Sequence, residues 1–159
     1  MKELTDTQLG YLAGIVDGEG TISIRTRKPK RGRFSPEYYP FLEVGNTNLR
    51  LIARLHSWLG GRVHLQRRRR LLPNSKPIYA WRIEARKAVP VLRALLPFLL
   101  LKRQQALLAL ELYDTGIWQR GRRSFLMPPV ELARRQALCD AVGQLNRRGC
   151  VKEVQICDG

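Results

Sequence analysis

Asp17 and Glu19 are the residues of this chain best placed to do chemistry. They stand two residues apart in the run LAGIVDGEG, with Gly18 between them and Gly20 after them. Carboxylates suit hard divalent cations. Mg²⁺ takes one or two of them and fills its shell with waters and phosphate oxygens. Other metal chemistry has less support. His56 and His64 are too few and too scattered for a histidine site, and Cys139, Cys150 and Cys157 lack CxxC spacing.

A short apolar helix must position the two acids. Thr5 can cap its first turn, Gln8 sits where a capping box needs it, and Leu4 and Leu9 are spaced as a hydrophobic staple. Gly10, Gly14 and Gly18 recur every four residues and so line one helix face. An interior glycine costs about 1 kcal/mol relative to alanine. A bare stripe kept at that cost predicts close approach of a second backbone, with the acids at the mouth of the contact. The helix is too short to cross a membrane, which takes about 20 apolar residues.

Composition narrows the partner. The chain has 159 residues, enough for one domain with a real core. Hydrophobic residues make up 44%, which excludes a disordered chain. Net charge is +16, and 22 of the 29 basic residues are arginine. That surplus implies a polyanion, most simply nucleic acid. Arginine's planar fork suits guanine edges and phosphates, although a GC-rich or thermophilic host would give the same bias. The sequence shows no signal peptide and no membrane span, so an intracellular setting is expected: prokaryotic cytoplasm or nucleoid, or an organelle matrix. Cys139 fits a buried helix face. Cys150 and Cys157 are compatible with free thiols or, in an oxidising or hyperthermophilic setting, a bridge.

Periodicity orders the elements. Residues 21–28 alternate as a strand with Ile22 and Ile24 inward. Residues 38–45 read as a second strand, with Leu42 and Val44 inward and Tyr39, Phe41 and Glu43 outward; Pro40 suggests an edge or a bulge. A helix follows over 47–59, stopped by Gly60 and Gly61. Strands are predicted over 62–70, with Val63 and Leu65 on one face, and over 78–85. Helices are predicted over 87–96, 99–114 and 129–147, leaving a tail from 149 to 159. Two strand pairs, each followed by a helix, give an α+β fold: a four-stranded antiparallel sheet with helices on one face.

Residues Leu12 to Gly20 resemble the motif that names the LAGLIDADG homing endonucleases, and the αββαββα order matches the single-motif members over residues 1–148. Leu96-Pro97-Phe98-Leu99 followed by Lys102 resembles the family's PFLxxK segment. Leu145-Asn146 before Arg147 and Arg148 resembles its C-terminal helix end. One departure is Glu19, where the motif's name has aspartate. LALELYDTG (108–116) fails as a second motif, because Leu110 replaces the close-packing glycine and Thr115 replaces the acid.

One motif per chain implies a homodimer through the first helix, with Gly10, Ala13, Gly14 and Asp17 at the interface. The resemblance further implies a site-specific DNA endonuclease using Mg²⁺ or Mn²⁺. Glu19 and the Gly18 carbonyl would hold metal, and Asp17 would be a helix-end residue rather than a ligand. Lys102, Asn46 and Arg50 would complete the catalytic set.

The sheet would read the DNA. A nine-residue strand spans about 30 Å, and DNA rises about 3.4 Å per base pair. Each sheet then follows roughly nine base pairs, and a dimer a pseudo-palindromic site of about 20. Base readers are expected among Arg25, Arg27, Glu43, His64, Gln66, Arg68, Arg70 and Arg82. Arg31, Arg33, Arg147 and Arg148 would add phosphate contacts. Two alternatives compete: a non-cleaving binder on the same scaffold, such as an intron maturase or regulator, and a basic RNA-binding protein. The acid at Glu19 argues against the first, and the glycine stripe against the second.

Overall fold

A computed structural model describes residues 3–28, 35–66, 76–114 and 126–147. The first helix, α1 (Asp6–Glu19), starts as its sequence dictates. The Thr5 hydroxyl accepts from the Gln8 N–H and the Gln8 side chain accepts from the Thr5 N–H, closing the capping box. Leu12, Ala13 and Val16 face the core. The chain then enters β1 (Gly20–Arg27) with no intervening loop. Gly20 permits this, because a Cβ there would stand 2.6 Å from the Val16 carbonyl oxygen.

The remaining elements are β2 (Glu37–Asn46), α2 (Leu49–Leu59), β3 (Arg62–Leu65), β4 (Tyr79–Glu84), α3 (Ala88–Leu95), α4 (Arg103–Asp114) and α5 (Pro129–Leu145). The four strands form one antiparallel sheet in the order β1-β2-β4-β3. Register sets the two faces. Ile22 lies beside Leu42, which lies beside Ile83, and Val44 lies beside Trp81. These residues are buried in one cluster with Leu12, Ile52, Leu55, Leu92, Leu95 and Leu112 of the helices. The Trp81 indole N–H donates to the Gly60 carbonyl at 2.6 Å, so the largest core side chain also closes its polar account.

Several boundaries differ from the sequence reading. Asn48 caps α2 by accepting from the Arg50 and Leu51 N–H groups, so the helix starts at Leu49 rather than 47. β2 is an interior strand, not an edge. Pro40 is tolerated one residue beyond Phe41, the last β2 residue paired with β4, where its missing N–H costs that ladder nothing. Val63 and Leu65 lie on the helix-side face but are exposed, β3 being an edge strand of the sheet. Residues 67–70 lie outside the described residues. The helix expected from 99 begins at Arg103, because residues 96–102 wrap the end of α1 instead. Helix α5 ends at Leu145, where the sequence suggested 147.

Helix α5 also guards the β1 edge. The Cys139 thiol donates to the Ile24 carbonyl at 3.3 Å and the Asn146 amide to the Ile22 carbonyl at 2.8 Å. Tyr38 reaches it too, donating to Gln136 Oε1 at 2.6 Å. Edge acceptors that would otherwise invite another strand are thereby occupied.

Candidate nucleic-acid-cleaving site

Two acids end α1, and the fold treats them differently. The Asp17 carboxylate turns into its own chain. It accepts from the Leu100 N–H at 2.8 Å and from the Lys102 N–H at 2.9 Å, one oxygen each. The Lys102 ammonium donates to the Asp17 carbonyl. Asp17 thus pins the 96–102 segment, and with it Lys102, to the tip of α1. Its carboxylate is thereby engaged within its own chain, as expected of a helix-end residue rather than a metal ligand. Glu19 is exposed and, among the described residues, accepts no hydrogen bond.

Lys102 stands between these groups. Burial lowers its pKa from the ordinary lysine value, and the nearby charges of Asp17 and Glu19 oppose that shift. Desolvation therefore outweighs two carboxylates, leaving an ammonium less strongly held than a surface lysine's. Asn46 ends β2 at the end of the sheet where β1 leaves α1. Its side-chain oxygen accepts from the Asn48 N–H at 2.8 Å, tying the strand end to the start of α2. Arg50, in the first turn of that helix, is exposed.

The glycine face of α1 is open. A Cβ at Gly14 or Gly18 would meet nothing within 4 Å in its own chain, and one at Gly10 would only touch Phe98 at 3.9 Å. Tyr11 beside them is 55% exposed. Ala13, expected on this interface, is instead fully buried in its own core. It lies a quarter turn from Gly14, which carries it off the bare face.

The outer face of the sheet holds most of the expected base readers. Arg25 and Arg27 project from β1. On the neighbouring strands Glu43 is the hub. Arg82 donates to it through Nε at 2.8 Å and a terminal nitrogen at 2.6 Å, Gln66 lies at 3.5 Å, and His64 Nε2 at 3.8 Å. Arg147 is exposed just past α5. Arg31, Arg33, Arg68, Arg70 and Arg148 lie outside the described residues.

No family model matches the chain, and no curated protein matches it. Solved structures do. The homing endonuclease I-CvuI, in complex with its target, is 23% identical over 93% of this chain and 87% of its own, with a TM-score of 0.66. The archaeal intron-encoded homing endonuclease I-Vdi141I, complexed with DNA, is 18% identical over 94% and 90%, also at 0.66. The LAGLIDADG homing endonuclease I-SmaMI, bound to cleaved DNA, is 21% identical over 86% of this chain and 49% of its own, at 0.53. The chain has the LAGLIDADG homing-endonuclease fold. Within that fold, the described residues hold one open glycine helix and one four-stranded sheet. Among the described residues no helix is long and apolar enough to cross a membrane.

Two features of the site escaped the sequence reading. The Asp17 clasp joins residues more than 80 positions apart, and no local pattern announces it. Phe41 faces outward as its alternation requires, yet it is only 2% exposed. The signal available was a bulky aromatic on the face otherwise occupied by polar residues.

Proposed function

We propose that the chain is one half of a homodimeric, divalent-metal-dependent endonuclease that cleaves double-stranded DNA at a long pseudo-palindromic site. The observation that carries this reading is the tip of α1. There an exposed carboxylate, with no hydrogen-bond or ion-pair partner among the described residues, stands beside a lysine ammonium, at the end of a helix face that the described residues leave bare. The proteins of like fold support it, being homing endonucleases solved with DNA, and I-CvuI with calcium and with magnesium.

The donors suit such a metal, though one chain does not complete the site. Among the described residues no three acidic, histidine or cysteine side chains cluster. Glu19 is available, and the adjacent Gly18 is exposed at the helix end, whereas both Asp17 oxygens already accept N–H groups. A twofold dimer through Gly14 and Gly18 would bring a second Glu19 to the axis, an isologous contact. Mg²⁺ or Mn²⁺ held there would activate water and stabilise a leaving oxygen in phosphodiester hydrolysis.

The chain's own residues do the rest. Glu19 and the Gly18 carbonyl present oxygen donors. Lys102, clamped by Asp17, sets a positive charge beside them for the scissile phosphate. Asn46 and Arg50 order water and backbone at the β2–α2 junction. Arg25, Arg27, His64, Gln66 and Arg82 face the major groove, while Arg147 meets phosphate.

The test uses duplexes enriched by the protein from a randomised pool, cloned into a plasmid. Wild-type protein with Mg²⁺ cuts both strands, and Glu19→Gln binds equally but does not cut. Equal cutting by the two proteins would remove Glu19 from the reaction. Binding without cutting by wild type would make the protein a non-cleaving DNA binder.

A further inference from the structure

Phe41 lies on the sheet face turned away from the helices, between Ser23 of β1 and Glu84 of β4. It belongs to no part of the helix-side core cluster. Charge covers it instead. The Arg25 guanidinium sits 4.1 Å from its ring centroid and that of Arg82 sits 5.0 Å away. Arg82 is further held by two hydrogen bonds to one Glu43 oxygen.

This arrangement differs from an ordinary surface arginine. A guanidinium over a ring uses its face, so its N–H donors, which lie in its plane, stay available. Those edge donors are what guanine O6 and N7 take in the bidentate contact of the major groove. Arg25 has no ion-pair partner among the described residues, so its fork remains open to a ligand. Two guanidinium groups that near a single ring can stand no more than about 9 Å apart, or roughly three base-pair steps. Ordering a flexible arginine before binding removes an entropic cost that binding otherwise carries.

We propose that Phe41 is a specificity-positioning residue. It holds Arg25 and Arg82 as two pre-ordered readers of guanine, within about three base pairs of each other in each half-site. The proposal rests on the DNA-binding reading above and adds what the sheet prefers to read. Tyr39 places Arg27 similarly, at 4.9 Å, but both terminal nitrogens of that arginine are engaged, by Glu37 at 3.3 Å and Glu84 at 3.7 Å, whereas Arg82 gives Glu43 only Nε and one terminal nitrogen and keeps the other for a base.

Enrichment from a randomised duplex pool tests it, run with wild type, Phe41→Leu, Phe41→Tyr and Arg25→Lys. Wild type should select guanine at two positions within that window. Phe41→Leu keeps an apolar side chain but loses the ring. It should weaken both preferences by at least about fivefold, the low end for a bidentate contact. The other positions and the salt dependence should not move. Phe41→Tyr restores both preferences. Arg25→Lys keeps the charge and loses one guanine only. Retention of both preferences by Phe41→Leu, or an even loss at every position, overturns the proposal. So does an unchanged preference in Arg25→Lys, which decides the matter even if Phe41→Leu does not fold. If wild type enriches no sequence at all, the DNA-reading function fails and this proposal with it.

Discussion

Asp17→Asn and Glu19→Gln are the same chemical change two residues apart, and the structure assigns them opposite consequences. At Asp17 the carboxylate accepts two backbone N–H groups, at 2.8 and 2.9 Å. An amide can turn only one oxygen to them, so its NH₂ must face the other N–H. Hydrogen bonds to a charged acceptor contribute about 1.5–3 kcal/mol each. One is lost outright and the other loses its charge, and Leu100 is exposed to water, which softens the penalty. The expected loss is about 2–3 kcal/mol, or a fall in Tm of roughly 4–12 °C for a chain of this size. Urea unfolding should show a lower midpoint at unchanged slope. Glu19→Gln breaks no hydrogen bond among the described residues; it gives up an attraction to Lys102 at an exposed position and removes a charge that a symmetric partner would repel. Its stability should stay within about 0.5 kcal/mol of wild type, or rise, while DNA cutting disappears. A Glu19→Gln protein destabilised as much as Asp17→Asn would refute the division of labour at the helix tip.

Other outcomes follow from single contacts. Gly14 is exposed and a Cβ there meets nothing within 4 Å in its own chain, so Gly14→Leu should leave the protomer folded with a better helix-forming residue, yet sediment as a monomer and fail to cut. Gly61→Ala puts a Cβ 2.6 Å from the Arg82 carbonyl oxygen at a φ of +88°; a loss of about 3 kcal/mol or more is expected by urea titration. Glu131 accepts from Arg134 at 2.9 Å and Arg135 at 2.7 Å, and these bonds lower its pKa from 4.5 to about 2. Its contribution is therefore complete above pH 4.5 and is lost as pH falls towards 2. After discounting for screening at the partly exposed Arg134, Glu131→Gln should cost about 2 kcal/mol at pH 7 and nothing near pH 2.

What the sequence made legible was local. The Thr5–Gln8 box, the glycine stripe, the alternation of β1 and the diglycine after α2 are each decided within a few residues, by caps, period and backbone freedom. What it hid was set by partners far along the chain. Leucine-rich residues 99–102 look helical, and only the Asp17 carboxylate draws them into a turn. Ala13 sits inside the apolar motif beside Gly14, and one residue of helical rotation separates a core position from a bare one. Pro40 argued for an edge because strand order is not written in a strand's own residues.

If the proposed function holds, the charge distribution divides the work of binding DNA. On the described outer face of the sheet, Arg25, Arg27, Arg62 and Arg82 stand against Glu37, Glu43 and Glu84. That face is close to neutral despite a chain charge of +16. By sequence, residues 29–34, 67–70 and 119–123 are basic and carry no acid. Affinity that depends on counterion release scales with phosphates neutralised, at about −0.9 in slope per contact on duplex DNA. On that reading the salt dependence of binding is expected to come from those basic segments, and base preference from the neutral face. Neutralising three arginines in 67–70 should reduce the slope by about 3 without changing which bases are selected at the Arg25 and Arg82 positions. Residues 68 and 70 would have to be phosphate contacts for that result; a lost base preference instead would return them to the reading set.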